Sequence, residues 1–569
     1  MTVGLQDQGL WAGCDDNGHG PHSDQDDNGF RWQGPEDSVA YDGPGIAERL
    51  RRLERPCYVI ESRRGVGVTN EGAVNSSVDR DGARVLAVES PISRRSLGDP
   101  AFLQTYGLEC AYMAGSMANG ISGEEMVIAL SRARMLGSFG AGGLPPRRLE
   151  EAIRRIQAAL PEGPYAFNLI HSPNEPALER RAVELYLKHR VRVVEASAYL
   201  SLTPYVVRYR AAGLEADPSG GIRIRNRVIA KLSRREVAAH FLQPAPEQIL
   251  RALAAEGQIT PRQAALAAQV PMADDITLEA DSGGHTDNRP LVCLLPSVIA
   301  QRDTIQARYG YAAPVRIGAA GGISTPVSAL GAFMMGAAYV VTGSVNHSCV
   351  EARTSAHVKE MLAQADMADV MMAPAADMFE MGANVQVLKR GTMFPLRARK
   401  LYDLYQAYDS LDEIPQSELA KLERQILRRR VDEVWEACVS FFSERDPEQI
   451  EKARRNPKRK MALVFRWYLG LATRWAINGE PGRQLDYQIW CGPSMGAFND
   501  WVRGSFLETP ANRRVADVGR EIMDGAAYLY RLRALRMRGL RLPPGAVDGA
   551  HIEGWTPGRR ISPGAVVNG

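Results

Sequence analysis

Cysteine is scarce: the chain has seven in 569 residues, none of them in a CxxC spacing. That excludes a thiolate zinc module and a disulfide scaffold, and a reducing cytoplasm is the expected compartment. No apolar run reaches the roughly 18 residues that a membrane-spanning helix needs. The N-terminus has no basic segment leading into an apolar one, so no secretory signal is expected. Aromatic residues make up only 7%, and no stretch alternates them with basic residues, which argues against a nucleic acid partner. A hydrophobic share of 45% and a charged share of 24% are those of an ordinary globular chain, one able to bury a core without metals or disulfides. The length allows three or four units of about 150 residues, or fewer if one is a barrel of about 250.

Charge is unevenly spread. Residues 1–50 carry ten acidic and two basic side chains, so the rest of the chain holds about +11 although the whole is only +3. The first stretch, rich in Asp, Gly, Asn and His, lacks apolar periodicity and reads as a disordered acidic tail over 1–50. His19 and His22 beside its aspartates do not make a metal site in a flexible tail, and no metal is expected. The last residues, 546–569, are rich in Gly and Pro and read as a loose tail.

Between the tails the texture changes twice. Short β-branched runs mark a strand-rich lead-in over 51–105. From 106 to 400 short apolar runs alternate with amphipathic stretches, the pattern of βα units around a parallel sheet. The spacing predicts strands over 108–113, 135–139, 165–170, 192–196, 227–232, 276–280, 315–319 and 339–342. Eight such units are the count of a TIM (β/α)8 barrel; an open doubly wound sheet is the alternative. The fifth and sixth strands are separated by an insertion over 234–272, an enlarged crossover or a lid with helices over 246–256 and 260–269. Beyond 401 the pattern is helical to 545, with helices expected over 418–442, 447–454, 461–477 and 512–537. Its basic runs, Arg428-Arg429-Arg430 and residues 452–460, are either a solvated face or a docking patch for an acidic protein.

Chemistry gathers at the predicted strand ends, where a barrel places its active site. After strand seven comes Gly321-Gly322-Ile323-Ser324-Thr325-Pro326, with Ser324 placed to cap the next helix. After strand eight comes Thr342-Gly343-Ser344. Loops at these two positions form the recurring phosphate grip of barrels that bind phosphorylated cofactors. After strand six, Asp281-Ser282-Gly283-Gly284-His285 pairs two glycines, which admit a flat ligand, with a titratable ring. His171 and His347 are weaker candidates. Asn168 and Lys231, near strand ends, could meet the polar edge of a cofactor; Glu195 belongs with them.

These loops resemble the 2-nitropropane dioxygenase (nitronate monooxygenase) superfamily, and more closely the PfaD-type trans-acting enoyl reductases of polyunsaturated fatty acid and trans-acyltransferase polyketide synthases. The segments that carry the likeness are 112–126, 135–144, 167–173, 194–198, 279–290, 336–347, 373–382 and 488–499, so it spans nearly all of 50–540. The resemblance implies an FMN-dependent barrel using NADPH or NADH to reduce the α,β-double bond of an enoyl thioester on an acyl carrier protein. By motif match, Gly321, Gly322, Gly343 and Ser344 would hold the FMN phosphate. Gly283 and Gly284 would line the flavin, Ala114 and Gly115 would pass beneath it, and Asn168 and Lys231 would meet its polar edge. His285 would be the proton donor or the partner of the substrate carbonyl. Asp281 and Ser282 before the glycines and Thr286 and Asp287 after the histidine depart from the superfamily loop and could tune His285 or bind the thioester. The carrier's acidic surface would meet Arg428, Arg429 and Arg430. A homodimer is the expected assembly. Two other readings stay open: a nitronate-type flavin oxidase, and a flavin-free docking component of a synthase.

Overall fold

The computed structural model describes residues 29–76, 82–172 and 175–542, with Ala546, Trp555 and Pro557. His19, His22 and most of the C-terminal tail lie outside them. The described residues fall into two compact units: one ends at Pro91 and includes 535–542, and the other runs from Ile92 to Ala534.

The first unit is built on β1 (Phe30–Gln33), β2 (Cys57–Ser62), β3 (Gly65–Thr69), β4 (Ala73–Ser76) and β5 (Ala83–Glu89). They form an antiparallel sheet in the order β3-β2-β5-β1-β4. The expectation of a disordered tail over 1–50 therefore fails for residues 30–50. Trp32, Val39, Ile46 and Leu50 are all buried, and the helix Gly43–Arg51 is part of this unit. These few apolar residues, diluted among acidic ones, escape a composition argument yet suffice to anchor the segment. The lead-in also stops short of 105, because Phe102 and Tyr106 belong to the barrel core.

In the second unit β6 (Tyr112–Ala114), β7 (Leu136–Phe139), β8 (Ala166–Ile170) and β9 (Val193–Ser197) are followed by a hairpin, β10 (Leu214–Ala216) and β11 (Ile222–Ile224). Then come β12 (Arg227–Leu232), β13 (Asp275–Glu279), the two-residue β14 (Gly284–His285), β15 (Arg316–Ala320) and β16 (Val340–Thr342). The eight strands β6, β7, β8, β9, β12, β13, β15 and β16 close into a parallel barrel. Pairing of Val340 with Tyr112 joins the last strand to the first and excludes the open sheet. Each expected strand corresponds to one of the eight. The first starts at Tyr112 rather than 108, because Gly107 ends the helix Pro100–Tyr106 in a left-handed turn and 108–111 serve as its connection.

The two-residue period of the strands decides which side chains enter the barrel. Asp275, Arg316 and Tyr339 fill its lower end: Arg316 holds Asp275 by two bonds of 2.6 and 2.9 Å. Tyr106 donates to the same carboxylate at 2.5 Å, and Phe102 stacks on Tyr339 with ring centres 4.2 Å apart. On the same face, Glu279 follows Asp275 by four residues, and Asn168, Glu195 and Lys231 come from β8, β9 and β12.

The insertion after β12 forms the helices Arg235–Leu242, Glu247–Ala255 and Pro261–Ala267. The last two pack on the helix Pro204–Ala212, so the insertion is an outer layer and not a lid. After the barrel strands, β17 (Val370–Pro374) and β18 (Asn384–Leu388) join β14 in an antiparallel sheet ordered β14-β18-β17, which the reading of 106–400 as βα units alone did not include.

The helical region then buries its own core around Phe394, Leu401, Val434, Phe465 and Tyr468. The helix expected over 418–442 is two, Gln416–Leu422 and Val431–Arg445, with Arg428 between them at φ +54°. Tertiary contacts override helix propensity there. Arg428 donates to the Gly482 carbonyl and lies 3.6 Å from Asp486, a fully buried carboxylate also held by Tyr468, Arg483 and Arg397. Among the described residues no helix is long and apolar enough to cross a membrane.

Candidate active site

The C-terminal ends of the barrel strands open into a cavity of about 670 Å³. Gly115, Asn168, Lys231, Gly283, Gly284, His285, Gly321, Gly322, Gly343 and Ser344 all line it, although they come from six different strand ends. Ala114 does not line it; it is buried at the end of β6. Arg428, Arg429 and Arg430 lie elsewhere, in the helical region.

The floor is charged. Lys231 is largely enclosed and reaches Glu279 at 3.3 Å. Burial works to lower its pKa, but Glu279 and Glu195 outweigh that and hold it above the ordinary lysine value, so it is an ammonium at neutral pH. Glu195 is fully buried. One of its oxygens accepts from the Ser116 N–H at 2.9 Å, and the other, Oε1, has no partner. Asn168 donates both amide hydrogens, to the Glu195 carbonyl and to Ser197 Oγ. Its own oxygen is left to accept from a ligand, while Lys231 can donate.

Two glycines carry conformational requirements. Gly321 adopts φ +79°, and a Cβ there would lie 2.6 Å from the Ala280 carbonyl carbon. Only glycine fits. The spaces where Gly322 and Gly343 would carry a Cβ are open, so backbone can approach a ligand at both loops. The helix after Gly322 begins at Pro326, but its cap is Thr325, not Ser324: the Thr325 hydroxyl accepts from the Ser328 N–H. Ser324 instead donates its own N–H to Ser328 Oγ.

The loop bearing His285 is pinned along its length. Asp281 accepts from Asn288 and Gln386 at 2.8 and 2.7 Å; it ties the loop to β18 and is not a cavity residue. Gly283 was expected to admit a flat ligand. It lines the cavity, and its bare α-carbon also makes room for the C-terminal region, since a Cβ there would lie 2.8 Å from the Cys491 nitrogen. His285 pairs with Val385 of β18. Asp287 accepts two bonds from Arg234, at 2.9 and 2.8 Å, and one from Ser233. Arg234 holds the Asp287 carboxyl down at about 2.

At the mouth, His285 Nε2 lies 3.0 and 3.1 Å from the two carboxylate oxygens of Asp377. Burial would lower the His285 pKa, but the hydrogen bond and charge of Asp377 outweigh it and raise it above the usual imidazole value. The other candidate histidines have structural partners. His171 bonds the buried Glu179 at 3.0 Å. His347 is bonded to the Trp490 carbonyl and pushed down to about 4 by burial. Asp377, Glu279 and Arg234 are the site residues that sequence reasoning did not assign. Asp377 is 92 residues from His285 and reaches it through the β17–β18 sheet; its segment, 373–382, carries the family likeness, but spacing alone did not tie it to His285.

The fold and site define a (β/α)8 barrel with a glycine-lined, charged cavity at its strand ends and one titratable histidine at the mouth. Comparison with known proteins narrows the class. Residues 32–90 match the N-terminal domain of fatty acid synthase subunit PfaD, and residues 408–487 match the inserted helical domain of acyl-carrier-protein S-malonyltransferase. The chain is 48% identical over 494 residues to a polyunsaturated fatty acid synthase polypeptide of Thraustochytrium sp. (strain ATCC 26185 / S-3), covering 86% of this chain and 32% of that protein. It is 46% identical over 467 residues to the polyketide biosynthesis protein PksE of Bacillus subtilis (strain 168), covering 82% of this chain and 60% of the relative. It thus spans about a third and three fifths of these two relatives. The enoyl reductase domain of MlnA, from the macrolactin biosynthesis cluster of Bacillus amyloliquefaciens, superposes with a TM-score of 0.75 at 44% identity, covering 79% of this chain and all of that domain. The chain belongs to the PfaD-type enoyl reductase family of polyunsaturated fatty acid and polyketide synthases.

Proposed function

We propose that this chain reduces the α,β-double bond of an enoyl thioester on an acyl carrier protein, acting in trans, with FMN as its cofactor and NADPH or NADH as reductant. The observation that carries the reading is His285, the one histidine among the described residues that line the cavity, which also gathers the glycine loops and Lys231. The residues fit a flavin mononucleotide. The open backbone at Gly322 and Gly343, beside the Ser344 hydroxyl, suits a phosphate. The Lys231 ammonium and the Asn168 oxygen suit a ring edge that both accepts and donates. Bound there, FMN would relay two electrons from the nicotinamide to the double bond. His285 would deliver a proton to the α-carbon or polarise the thioester carbonyl, and the pinned loop would hold it in place without reorganisation. A carrier would meet the exposed Arg429 and Arg430; Arg428 is not available, because Asp486 and the Gly482 carbonyl hold it.

The test is anaerobic absorbance of the purified protein. Flavin bands should bleach with NADPH and recover with a crotonyl-type thioester on a carrier. Flavin that ignores NADPH but is bleached by a nitronate would replace this reading with the oxidase. A protein that takes up no flavin even when supplied with FMN would leave the docking role. The phosphate loop has its own check. Gly321→Val should strip flavin from the purified protein, measured as flavin per chain, since its side chain would strike the Ala280 carbonyl and push the loop aside. Full flavin content in that variant would remove Gly321 from the cofactor site.

A further inference from the structure

The loop between β17 and β18 is held at two places that concern the chemistry. Asp377 faces His285 Nε2 with both carboxylate oxygens, at 3.0 and 3.1 Å. Three residues on, Glu380 accepts from Arg459 Nη1 at 2.6 Å and Arg466 Nη1 at 3.3 Å. Both arginines lie on the helix Pro457–Asn478, so the helical region braces the segment that carries Asp377. His285 in turn is fixed by its pairing with Val385 on the strand that follows the same loop. The two side chains are therefore brought together by a rigid sheet and a braced loop, not by chance contact at a flexible surface.

We propose that Asp377 is the positioning residue for His285, fixing the imidazole with its Nε2–H donated to the carboxylate and leaving Nδ1 as the atom that exchanges a proton with substrate. The proposal rests on the reading of His285 as the proton donor of an enoyl reductase and goes beyond it by assigning the tautomer and the group that enforces it. A carboxylate only accepts, so Nε2 must carry the hydrogen in both charge states of the ring. In the protonated form Nδ1–H is the donor; after the proton leaves, Nδ1 holds the lone pair and Nε2–H remains on Asp377. The charged groups facing the ring are Asp377, Glu279 and Lys231. On the same loop Asp287 is neutralised by Arg234. Burial works to raise the Asp377 carboxyl, and the hydrogen bond and charge of His285 outweigh it, so it lies below the usual carboxylate value. It is ionised wherever His285 titrates.

The sign of the pH effect follows. Asp377 stabilises the imidazolium, so its loss lowers the pH at which His285 releases its proton. A step that needs the protonated ring then fails at lower pH. The experiment is Asp377→Asn in the full chain, with two readouts. The first is nitrogen NMR of labelled histidine, the His285 signal being identified by its absence in His285→Gln. In the parent the neutral ring should be the Nε2–H tautomer. In Asp377→Asn the tautomers should mix and the pKa should fall by about one unit or more. The second is the pH profile of enoyl thioester reduction. The falling limb of kcat should move to lower pH by a similar amount, with kcat down by roughly ten- to a hundredfold at neutral pH. Asp377→Glu should restore part of the tautomer preference. An unchanged tautomer ratio and an unmoved pH limb would overturn the proposal while leaving the reductase reading intact. A shifted tautomer in a protein that reduces no enoyl thioester would sink the reductase reading and keep the pair. Thermal melts of the variant guard against misfolding, and the NMR readout stands on any folded chain.

Discussion

Replacing His285 with alanine should lower kcat for enoyl thioester reduction by roughly a hundred- to ten-thousandfold, the range for loss of a positioned general acid. Flavin content and nicotinamide oxidation should stay near the parent's. The separation is expected from the geometry. His285 sits at the mouth, on a loop pinned at Asp281, Gly283 and Asp287, whereas the groups proposed to hold the cofactor line the floor and the loops after β15 and β16. The hydrogen bonds of Lys231 go to Glu279 and those of the Asn168 amide to Glu195 and Ser197, so truncating the ring leaves them in place. Rapid-mixing absorbance resolves the two half-reactions. Bleaching by NADPH should survive and reoxidation by the enoyl thioester should slow. Equal rates of reoxidation in variant and parent would show that His285 is not the proton donor.

The second large effect is on stability. Arg316→Met should cost about 3–5 kcal/mol, because it leaves the carboxylate of Asp275 buried without its cation. Asp275 is fully buried and takes two bonds from Arg316 at 2.6 and 2.9 Å; only the Tyr106 hydroxyl would remain among these partners. Denaturant melts of parent and variant measure the difference. Adding Asp275→Asn to the variant should recover part of the loss, since a neutral amide costs less to bury than an unpaired charge. A single variant that unfolds at the parent's midpoint would show that the barrel floor tolerates the charge, through water or rearrangement.

The residues at the two ends of the barrel show how function and stability are divided along the same strands. On β13, Asp275 belongs to the packed lower end and Glu279 to the cavity, four residues later on the same face. On β12, Lys231 is the counterpart of Glu279. A two-residue slip in register would move these charges by one layer and leave them without partners, so the ion pairs also specify the register that aligns the strand ends.

Much of this was legible in the sequence because it depends on local pattern. All eight barrel strands were read from short apolar runs alternating with amphipathic helices, and ten of the residues at their ends share one cavity. The misreadings have physical causes. The acidic N-terminal stretch hid Trp32 and Leu50, whose burial needs only a few apolar contacts. Arg428 breaks a helix because a buried carboxylate 58 positions away holds it in place, and no local preference encodes that. Asp281 looked like a ligand contact because polar loops serve ligands and chain packing equally well.

By itself the sequence determined the eight βα units and the set of strand ends on which chemistry could sit, since hydrophobic period and βα alternation are properties of neighbouring residues; closure into a barrel came with the pairing of Val340 and Tyr112. Only the tertiary structure decided which of those groups act together. The pairing of His285 with Asp377, the grip of Arg234 on Asp287 and the packing of Cys491 against Gly283 each join segments far apart in the chain. The first and the third need the sheet of β14, β18 and β17 and the helical region; the second needs β12 and β13 side by side. A charge or a ring acquires its chemical character from the groups packed around it, and that packing is a property of the folded whole.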